Sequence, residues 1–120
     1  MISQNLPFHA VSFDMDDTLL RDDLTISDRT VRVLRGLAGL GVHIIPASGR
    51  ARMSILPFVD QLACSSLYIT CNGAEIWDGK THALLHREQF SVEIGREIAA
   101  FGKKALIVTG KIITKTGLAK

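Results

Sequence analysis

The sequence predicts an α/β fold built on a parallel β-sheet, and three observations support this. A short apolar run over residues 8–13 ends in a cluster of acids at positions 14–17. Apolar residues then recur at helical spacing after Ser27, and a second apolar run follows at residues 42–45. The joints between these segments are short, and a strand, helix, strand order with short joints implies a parallel pair with a right-handed crossover.

Composition indicates an ordinary folded domain with no strong charge. The chain has 120 residues, of which 47% are hydrophobic and 22% charged, values typical of one soluble globular domain. The net charge of +2 is too small to indicate nucleic acid or membrane binding. Lysines are the only charged side chains after Glu97, and we interpret this stretch as a solvated basic tail. The expected partners therefore exclude nucleic acids and membranes.

The cysteines and the N-terminus favour a cytoplasmic location. Cys64 and Cys71 fit no CxxC pattern, so we interpret both as buried thiols in a reducing compartment. The first seven residues lack a basic start followed by a long apolar region, and no apolar run approaches the roughly 20 residues of a membrane span.

The first strand is predicted over residues 8–13, whose nearly continuous apolar character indicates that both sheet faces are covered. Asp14 and Asp16 follow it and would share one side if the chain stays extended across Met15. Two carboxylates at the carboxyl edge of a sheet are suited to Mg²⁺, and one could act as a nucleophile. A solvated acidic turn is the alternative on these residues alone.

The next segment is predicted to be a flap and then a helix. Asp22 and Asp23 lie between two short apolar segments, which predicts a small hairpin or a looped flap over residues 19–26. This flap would lie beside the carboxylates. Ser27 is the predicted N-cap of the helix, which should end near Gly39 or Gly41.

The second strand, residues 42–45, should end on the same edge as the first. Ser48, Gly49 and Arg50 follow it, just before another helical segment. A hydroxyl, free backbone N–H groups at a helix start and a guanidinium together can hold a phosphate. A plain turn is the commoner meaning of this tripeptide, but its position beside the carboxylates favours the phosphate site.

A second helix and a third strand complete the parallel part. The helix is predicted over residues 50–62, with Pro57 kinking it or beginning a second short helix. Its predicted buried stripe consists of Met53, Leu56, Val59 and Leu62. The third strand covers residues 67–71 and closes with Asn72 and Gly73, which suit a turn with positive φ. Asn72 could face the same site.

The second half is predicted to pair antiparallel. Residues 74–80 should form a strand and a turn, and residues 83–90 a further strand. Ser91 should begin a helix in which Ile94, Ile98 and Phe101 share one face. A strand over residues 105–109 and a return strand over residues 112–114 would follow.

Three of these segments together resemble the haloacid dehalogenase superfamily, specifically its Cof-like sugar-phosphatase branch. They are the DxDxT signature at residues 14–18, Ser48-Gly49-Arg50, and the turn Asn72-Gly73-Ala74. The likeness covers about residues 8–90. It implies a Rossmann-like parallel core, with residues 1–82 as its N-terminal part and residues 83–120 as the start of an α+β cap or a divergent basic tail.

The resemblance also implies roles for individual residues. Asp14 would attack a phosphoryl group to form an aspartyl-phosphate, and Asp16 would protonate the leaving alcohol and later deprotonate water. The Asp14 carboxylate and the Met15 backbone carbonyl would hold Mg²⁺, with Asp16 just outside its immediate ligands. Thr18 would orient Asp16. Contacts to phosphate or substrate are implied for Thr18, Ser48, Gly49, Arg50 and Asn72.

The chain also departs from the family pattern. The family carries a later lysine and a further acidic motif that completes the Mg²⁺ site, whereas here no acid follows Glu97 and Lys115 is interpreted as an exposed tail lysine. We therefore expect a family member cut short inside its cap. Missing core strands would leave the first strand with an open edge, which a homo-oligomer could cover.

Two hypotheses of function follow, and they differ in class. One is a Mg²⁺-dependent phosphatase acting on a small phosphorylated metabolite. The other is a catalytically incomplete fragment that binds phosphate or metal, or pairs with another chain. A phosphomutase of the same branch is neither favoured nor opposed by the sequence.

Overall fold

The computed structural model describes residues 5–100, 104–109 and 112–117. The backbone divides into two compact units, one ending at Arg87 and one beginning at Glu88. The elements of the first unit are β1 (Ala10–Asp14), α1 (Asp28–Gly39), β2 (His43–Ala47), α2 (Arg52–Leu62), β3 (Leu67–Thr70), β4 (Glu75–Asp78) and β5 (Leu84–Arg87). Those of the second are α3 (Val92–Ala100), β6 (Lys104–Thr109) and β7 (Ile112–Gly117).

The sheet of the first unit confirms the predicted fold class. Its order is β1-β2-β3-β4-β5, with β1, β2 and β3 parallel and β4 and β5 antiparallel to their neighbours. The parallel strands all end at one edge, as short crossovers through α1 and α2 require. In the second unit, β6 and β7 form an antiparallel pair.

β1 lies at the end of the sheet order and has no second neighbour among the described strands. Its residues alternate between exposed and half-buried. Among the described residues, the expectation of a strand covered on both faces is therefore wrong, because Val11 and Phe13 on one face are half-buried while Ala10, Ser12 and Asp14 on the other face are exposed. The predicted open edge is confirmed for the described part of the chain.

The core lies around Met15 and Ile44, both fully buried. The loop after the acids contributes Leu20 and Ile26, which are also buried, and this anchors the predicted flap. The flap is a loop, not a strand pair: its turn is closed by hydrogen bonds from the Leu24 N–H to the Arg21 carbonyl and from the Arg21 N–H to the Thr25 carbonyl. Leu20 and Ile26, buried at the two ends of the loop, anchor it to the core beside the sheet edge.

The helix caps confirm the predicted starts. The Ser27 hydroxyl accepts the Thr30 N–H at 3.1 Å, as an N-cap side chain does. The Ser91 hydroxyl similarly accepts the Ile94 N–H at 3.3 Å at the start of α3. The side chains of Ile94 and Ile98 are 47% and 52% exposed, while Phe101 lies outside the described residues.

The buried stripe of α2 differs from the predicted one. Ile55, Val59 and Leu62 are buried, whereas Met53 is 74% exposed. The helix passes Pro57 as one element and is not divided there. Proline has no backbone N–H, so the carbonyl of Met53, four residues before Pro57, has no helical hydrogen-bond donor at that position. Both residues are exposed and therefore lie on the side of the helix that water can reach. A missing hydrogen bond costs less where water can reach the carbonyl.

Several expectations have a mixed or open outcome. Cys64 and Cys71 are free thiols but half-buried and not fully buried, and desolvation raises the pKa of Cys64. The described helices include none of the length and apolarity that crossing a bilayer demands. β5 pairs with β4 within the first unit, and the assignment of residues 83–120 to a cap stays a prediction, as does a cytoplasmic location.

Candidate active site

The carboxyl ends of three parallel strands meet at one edge of the sheet. The register pairs Asp14 of β1 with Ala47 of β2, and Ala47 with Ile69 of β3. The Ser48 N–H continues this pattern by donating to the Ile69 carbonyl at 3.0 Å. The last residues of each strand are therefore adjacent, which is where ligands bind in open α/β sheets.

A cavity of about 370 Å³ opens at this edge. Four of the predicted site residues line it, namely Asp14, Ser48, Gly49 and Asn72. Gly73, which belongs to the predicted Asn72 turn, also lines it, and sequence reasoning did not assign the remaining lining residues to the site: Ser12, Phe13, Ala47 and Ile69. Ser12 could have been found, because it lies two residues before Asp14 on the same face of β1.

The chain turns sharply after Asp14 and does not stay extended. Residues Met15–Leu19 form one wide helical turn, in which Asp16 is extended and Asp17 has a φ of 57°. The Asp14 Oδ1 atom accepts the Met15 N–H at 2.9 Å and stabilises the start of this turn. The premise of an extended chain across Met15 is therefore wrong, and Asp16 is not among the residues that line the cavity.

Asp16 instead forms a two-pronged ion pair with Arg50. The Arg50 Nε donates to Asp16 Oδ2 at 2.9 Å, and a terminal guanidinium nitrogen donates to Oδ1. The two side chains remain 42% and 31% exposed, respectively. Planar guanidinium and carboxylate groups match in this geometry, so each fixes the other's orientation. The structure thus brings together two predicted site residues, and the guanidinium of Arg50 contacts both carboxylate oxygens of Asp16.

The Ser48–Arg50 loop and the Asn72 turn are bonded to each other. The Asn72 N–H donates to the Ser48 carbonyl at 3.1 Å, and the Cys71 N–H donates to the Arg50 carbonyl at 3.0 Å. The Ser48 side chain is buried, and its hydroxyl accepts the Arg50 N–H at 3.0 Å. These hydrogen bonds hold the two loops against each other at the wall of the cavity.

Gly49 lies directly against the side chain of Asn72. A Cβ atom built on Gly49 would lie 2.8 Å from Asn72 Oδ1, closer than ordinary van der Waals contact permits. The Asn72 side chain would have to move to accommodate any other residue. Gly49 therefore leaves room for the Asn72 amide in its observed position.

We expect Gly49→Ala to weaken binding of inorganic phosphate by about tenfold, because the added methyl group displaces the Asn72 amide from the cavity wall. Isothermal titration with phosphate measures the change. Gly36→Ala is the matched control, since a Cβ there meets nothing within 4 Å and the residue lies inside α1. It should leave phosphate affinity unchanged and raise the melting temperature slightly. Equal phosphate affinities for the two variants would contradict the role of Gly49.

Thr18 stands apart from the other predicted residues. Its side chain is exposed, and its hydroxyl makes no hydrogen bond to Asp16 among the residues the structure covers. Arg50, not Thr18, contacts the Asp16 carboxylate. Orientation of Asp16 by Thr18 stays a prediction.

The donor set at Asp14 fits a hard cation in part. Asp14 Oδ2 accepts no hydrogen bond within the described part of the chain, and the side chain is exposed on the cavity wall. The Met15 carbonyl accepts the Leu20 N–H at 2.8 Å, so a metal would have to share it. No group of three or more acidic, His or Cys side chains that could hold a metal occurs among the described residues. Mg²⁺ nevertheless keeps several waters and needs only one or two carboxylates beside a substrate phosphate.

A family model described as haloacid dehalogenase-like hydrolase matches residues 11–114 of the chain. Among curated proteins, the 5-amino-6-(5-phospho-D-ribitylamino)uracil phosphatase YcsE of Bacillus subtilis is 32% identical over 93 residues, covering 74% of this chain and 37% of that protein. The pyridoxal phosphate phosphatase YbhA of Escherichia coli is 28% identical over 82 residues, covering 68% of this chain and 30% of that protein. The chain thus spans less than half the length of these relatives.

Solved structures show the same fold. A haloacid dehalogenase-like hydrolase from B. subtilis superposes with a TM-score of 0.71 at 24% identity, covering 78% of this chain and 33% of that one. A subclass IIB sugar phosphatase of the superfamily superposes with a TM-score of 0.65 at 26% identity, covering 88% of this chain and 43% of that one. The three motifs, the shared fold and the family match agree, and the chain belongs to the haloacid dehalogenase superfamily, in its Cof-like branch.

Proposed function

We propose that this protein hydrolyses phosphate monoesters of small metabolites with the help of Mg²⁺. The observation that carries the proposal is the convergence of Asp14, Ser48, Gly49 and Asn72 from three strand ends on one cavity of about 370 Å³. Phosphatase relatives and a sugar-phosphatase neighbour support the reaction class and the substrate class. A phosphorylated metabolite fits a cavity of this size and polarity better than a macromolecule does.

The proposed reaction begins with an attack by a carboxylate oxygen of Asp14 on the phosphorus atom. A new P–O bond to Asp14 forms while the ester P–O bond breaks, and the leaving alcohol takes a proton from Asp16. Water, losing a proton to Asp16, then attacks the aspartyl-phosphate, which releases inorganic phosphate and restores the carboxylate. Bound Mg²⁺ would supply positive charge that offsets repulsion between phosphate and Asp14.

The remaining residues position the phosphate. The Ser48 hydroxyl accepts the Arg50 N–H, which leaves its own hydrogen to donate to a phosphate oxygen. Asn72 lines the same cavity as Asp14, and its amide group can donate a second hydrogen bond to the phosphate. Arg50 forms an ion pair with Asp16, and a phosphate dianion would compete for the same guanidinium.

Hydrolysis of p-nitrophenyl phosphate tests the proposal. The protein should release p-nitrophenol in the presence of Mg²⁺, and EDTA should lower the rate by about tenfold or more because uncompensated charge then raises the barrier. Restoration of the rate by excess Mg²⁺ is the internal control. Turnover that EDTA does not affect would refute the metal requirement, and no turnover with or without Mg²⁺ would refute the activity.

A second candidate function is phosphate binding without turnover, in an assembly of several chains. It is favoured by the edge of β1 that no described strand pairs with and by the single described carboxylate at the cavity. Exposed strand edges pair with other strands, and a second copy of this chain could supply one. Tight phosphate binding with no hydrolysis, together with a dimeric mass by light scattering, would favour this candidate over the phosphatase.

A further inference from the structure

The turn that carries Asn72 has an unfavourable backbone conformation. Cys71, Asn72 and Gly73 have φ values of 51°, 56° and 95°, so three consecutive residues lie in the left-handed region. Side chains with a Cβ rarely adopt this region, and such residues persist only when their surroundings hold them there. The contacts that hold this turn therefore decide where Asn72 lies.

A side-chain bond closes the base of the turn. Thr70 ends β3 and Glu75 begins β4, and the two residues face each other in the antiparallel register. The fully buried Thr70 hydroxyl donates to Glu75 Oε2 at 2.9 Å. The turn thus lies between two residues joined both by strand pairing and by their side chains.

The Glu75 carboxylate is itself held by two further side chains. The Trp77 Nε1 donates to Glu75 Oε2 at 3.3 Å and to the Thr70 hydroxyl at 3.1 Å. Arg87 of β5 contacts the other oxygen, Oε1, with its Nε at 3.2 Å and a terminal nitrogen at 3.1 Å. The carboxylate is only 18% exposed and joins three strands. The Thr70 hydroxyl first, and then the charge of Arg87, hold the pKa of Glu75 below its usual range.

We propose that Glu75 is a positioning residue for Asn72: its carboxylate closes the base of the Cys71–Gly73 turn and so keeps Asn72 on the wall of the cavity. Glu75 is not among the residues that line the cavity, and sequence reasoning missed it because its bond to Thr70 depends on the register of β3 and β4. The expected effect of Glu75 on phosphate binding rests on the proposed function, whereas its effect on the conformation of the turn does not.

Hydrogen exchange measured by NMR tests the effect on the turn. Glu75→Ala should speed exchange at the Cys71 and Asn72 amides, which donate to Arg50 and Ser48, by about tenfold or more. Asp78→Ala is the matched control, because Asp78 ends the same strand and its carboxylate accepts the Lys80 and Thr81 N–H groups at 2.8 and 2.7 Å. That variant should leave the Cys71 and Asn72 amides unchanged. Equal exchange rates at Asn72 in the two variants would overturn the proposal.

A milder variant keeps the test usable if Glu75→Ala does not fold. Glu75→Gln retains an oxygen for the Thr70 hydroxyl but turns an amide nitrogen towards Arg87. It should speed exchange at Asn72 to a smaller extent, and it should change the emission of Trp77, the one tryptophan of the sequence. Unchanged exchange and unchanged emission in Glu75→Gln would also overturn the proposal.

Titration with inorganic phosphate separates this proposal from the proposed function. Glu75→Ala should weaken phosphate binding by about tenfold while Asp78→Ala leaves it unchanged, because only the former displaces Asn72. Faster exchange at Asn72 with unaltered phosphate affinity would overturn the positioning role. A wild-type protein that binds no phosphate would refute the proposed function, and the exchange rates alone would then decide whether Glu75 holds the turn.

Discussion

Asp14→Asn is expected to lower phosphatase turnover by at least about 10³-fold, because an amide is a far weaker nucleophile than a carboxylate and forms no stable acyl phosphate. The substitution should leave the fold intact. An asparagine side-chain oxygen can still accept the Met15 N–H that Asp14 Oδ1 accepts at 2.9 Å, and the residue is exposed. A thermal melt that matches the wild type would establish that the loss is chemical.

Asp17→Asn is the matched control for Asp14→Asn. It removes the same charge three residues later, at an exposed position with a φ of 57°, a conformation that asparagine tolerates. Asp17 is not among the residues lining the cavity. Turnover should stay within about threefold of the wild type, which is a small difference in barrier. Mass spectrometry of acid-quenched samples should find a phosphoryl group on the wild type and the control but not on Asp14→Asn.

An Asp14→Asn variant that retains turnover would refute Asp14 as the nucleophile. The cavity would then hold phosphate while another oxygen attacks it. Accumulation of a phosphoryl group on a different residue would identify that oxygen. Equal losses in Asp14→Asn and Asp17→Asn would instead indicate a general effect of charge at the start of the turn.

The sequence predicted that three strand ends would meet at one edge of the sheet, and the structure confirms this placement, while the site itself stays a prediction. Asp14, Ser48 and Asn72 each follow an apolar strand, and parallel strands joined by short crossovers must end at one edge. That argument needs only the period of the strands and the order of the elements. It places residues on a common edge without knowledge of any side-chain contact.

Other features depended on information that periodicity does not contain. Met53 and Ile55 are both apolar and lie in one helix, and only the position of the neighbouring sheet decides that Ile55 is buried. The turn at Met15 arises from a hydrogen bond between Asp14 and the next backbone N–H, a local choice that alternation cannot predict. The bond between Thr70 and Glu75 likewise depends on the register of β3 and β4.

The ion pair between Asp16 and Arg50 is the feature that changes the predicted mechanism most. The resemblance to the superfamily implies proton transfer for Asp16 and a substrate contact for Arg50, but in the structure the guanidinium occupies both carboxylate oxygens. Asp16 cannot give a proton to a leaving group while both oxygens accept hydrogen bonds from Arg50. In the proposed reaction, Arg50 therefore has to leave the Asp16 carboxylate before Asp16 can act as the acid, and we expect phosphate binding to draw it away.

Asp16→Asn is expected to lower turnover by about 10² to 10⁴-fold, the usual contribution of a general acid and base. The loss should depend on the leaving group. Release of p-nitrophenol needs little help from an acid, whereas release of an aliphatic alcohol needs a proton, so an alkyl phosphate should suffer the larger loss. Because water also loses its base in this variant, aspartyl-phosphate should accumulate. Rapid-quench measurement of the phosphorylated protein should detect it.

Arg50→Lys, compared with Asp16→Asn, distinguishes the contribution of Arg50 from that of Asp16. Lysine keeps the positive charge but lacks the two guanidinium nitrogens that bind both oxygens of Asp16. The ion pair with Asp16 should therefore open more easily, and phosphate should bind less tightly. KM should rise by about tenfold while kcat changes by less than about threefold, because the lost contact is to phosphate in both ground and transition states. Equal losses of kcat in Arg50→Lys and Asp16→Asn would show that the intact pair, and not its opening, is the active form.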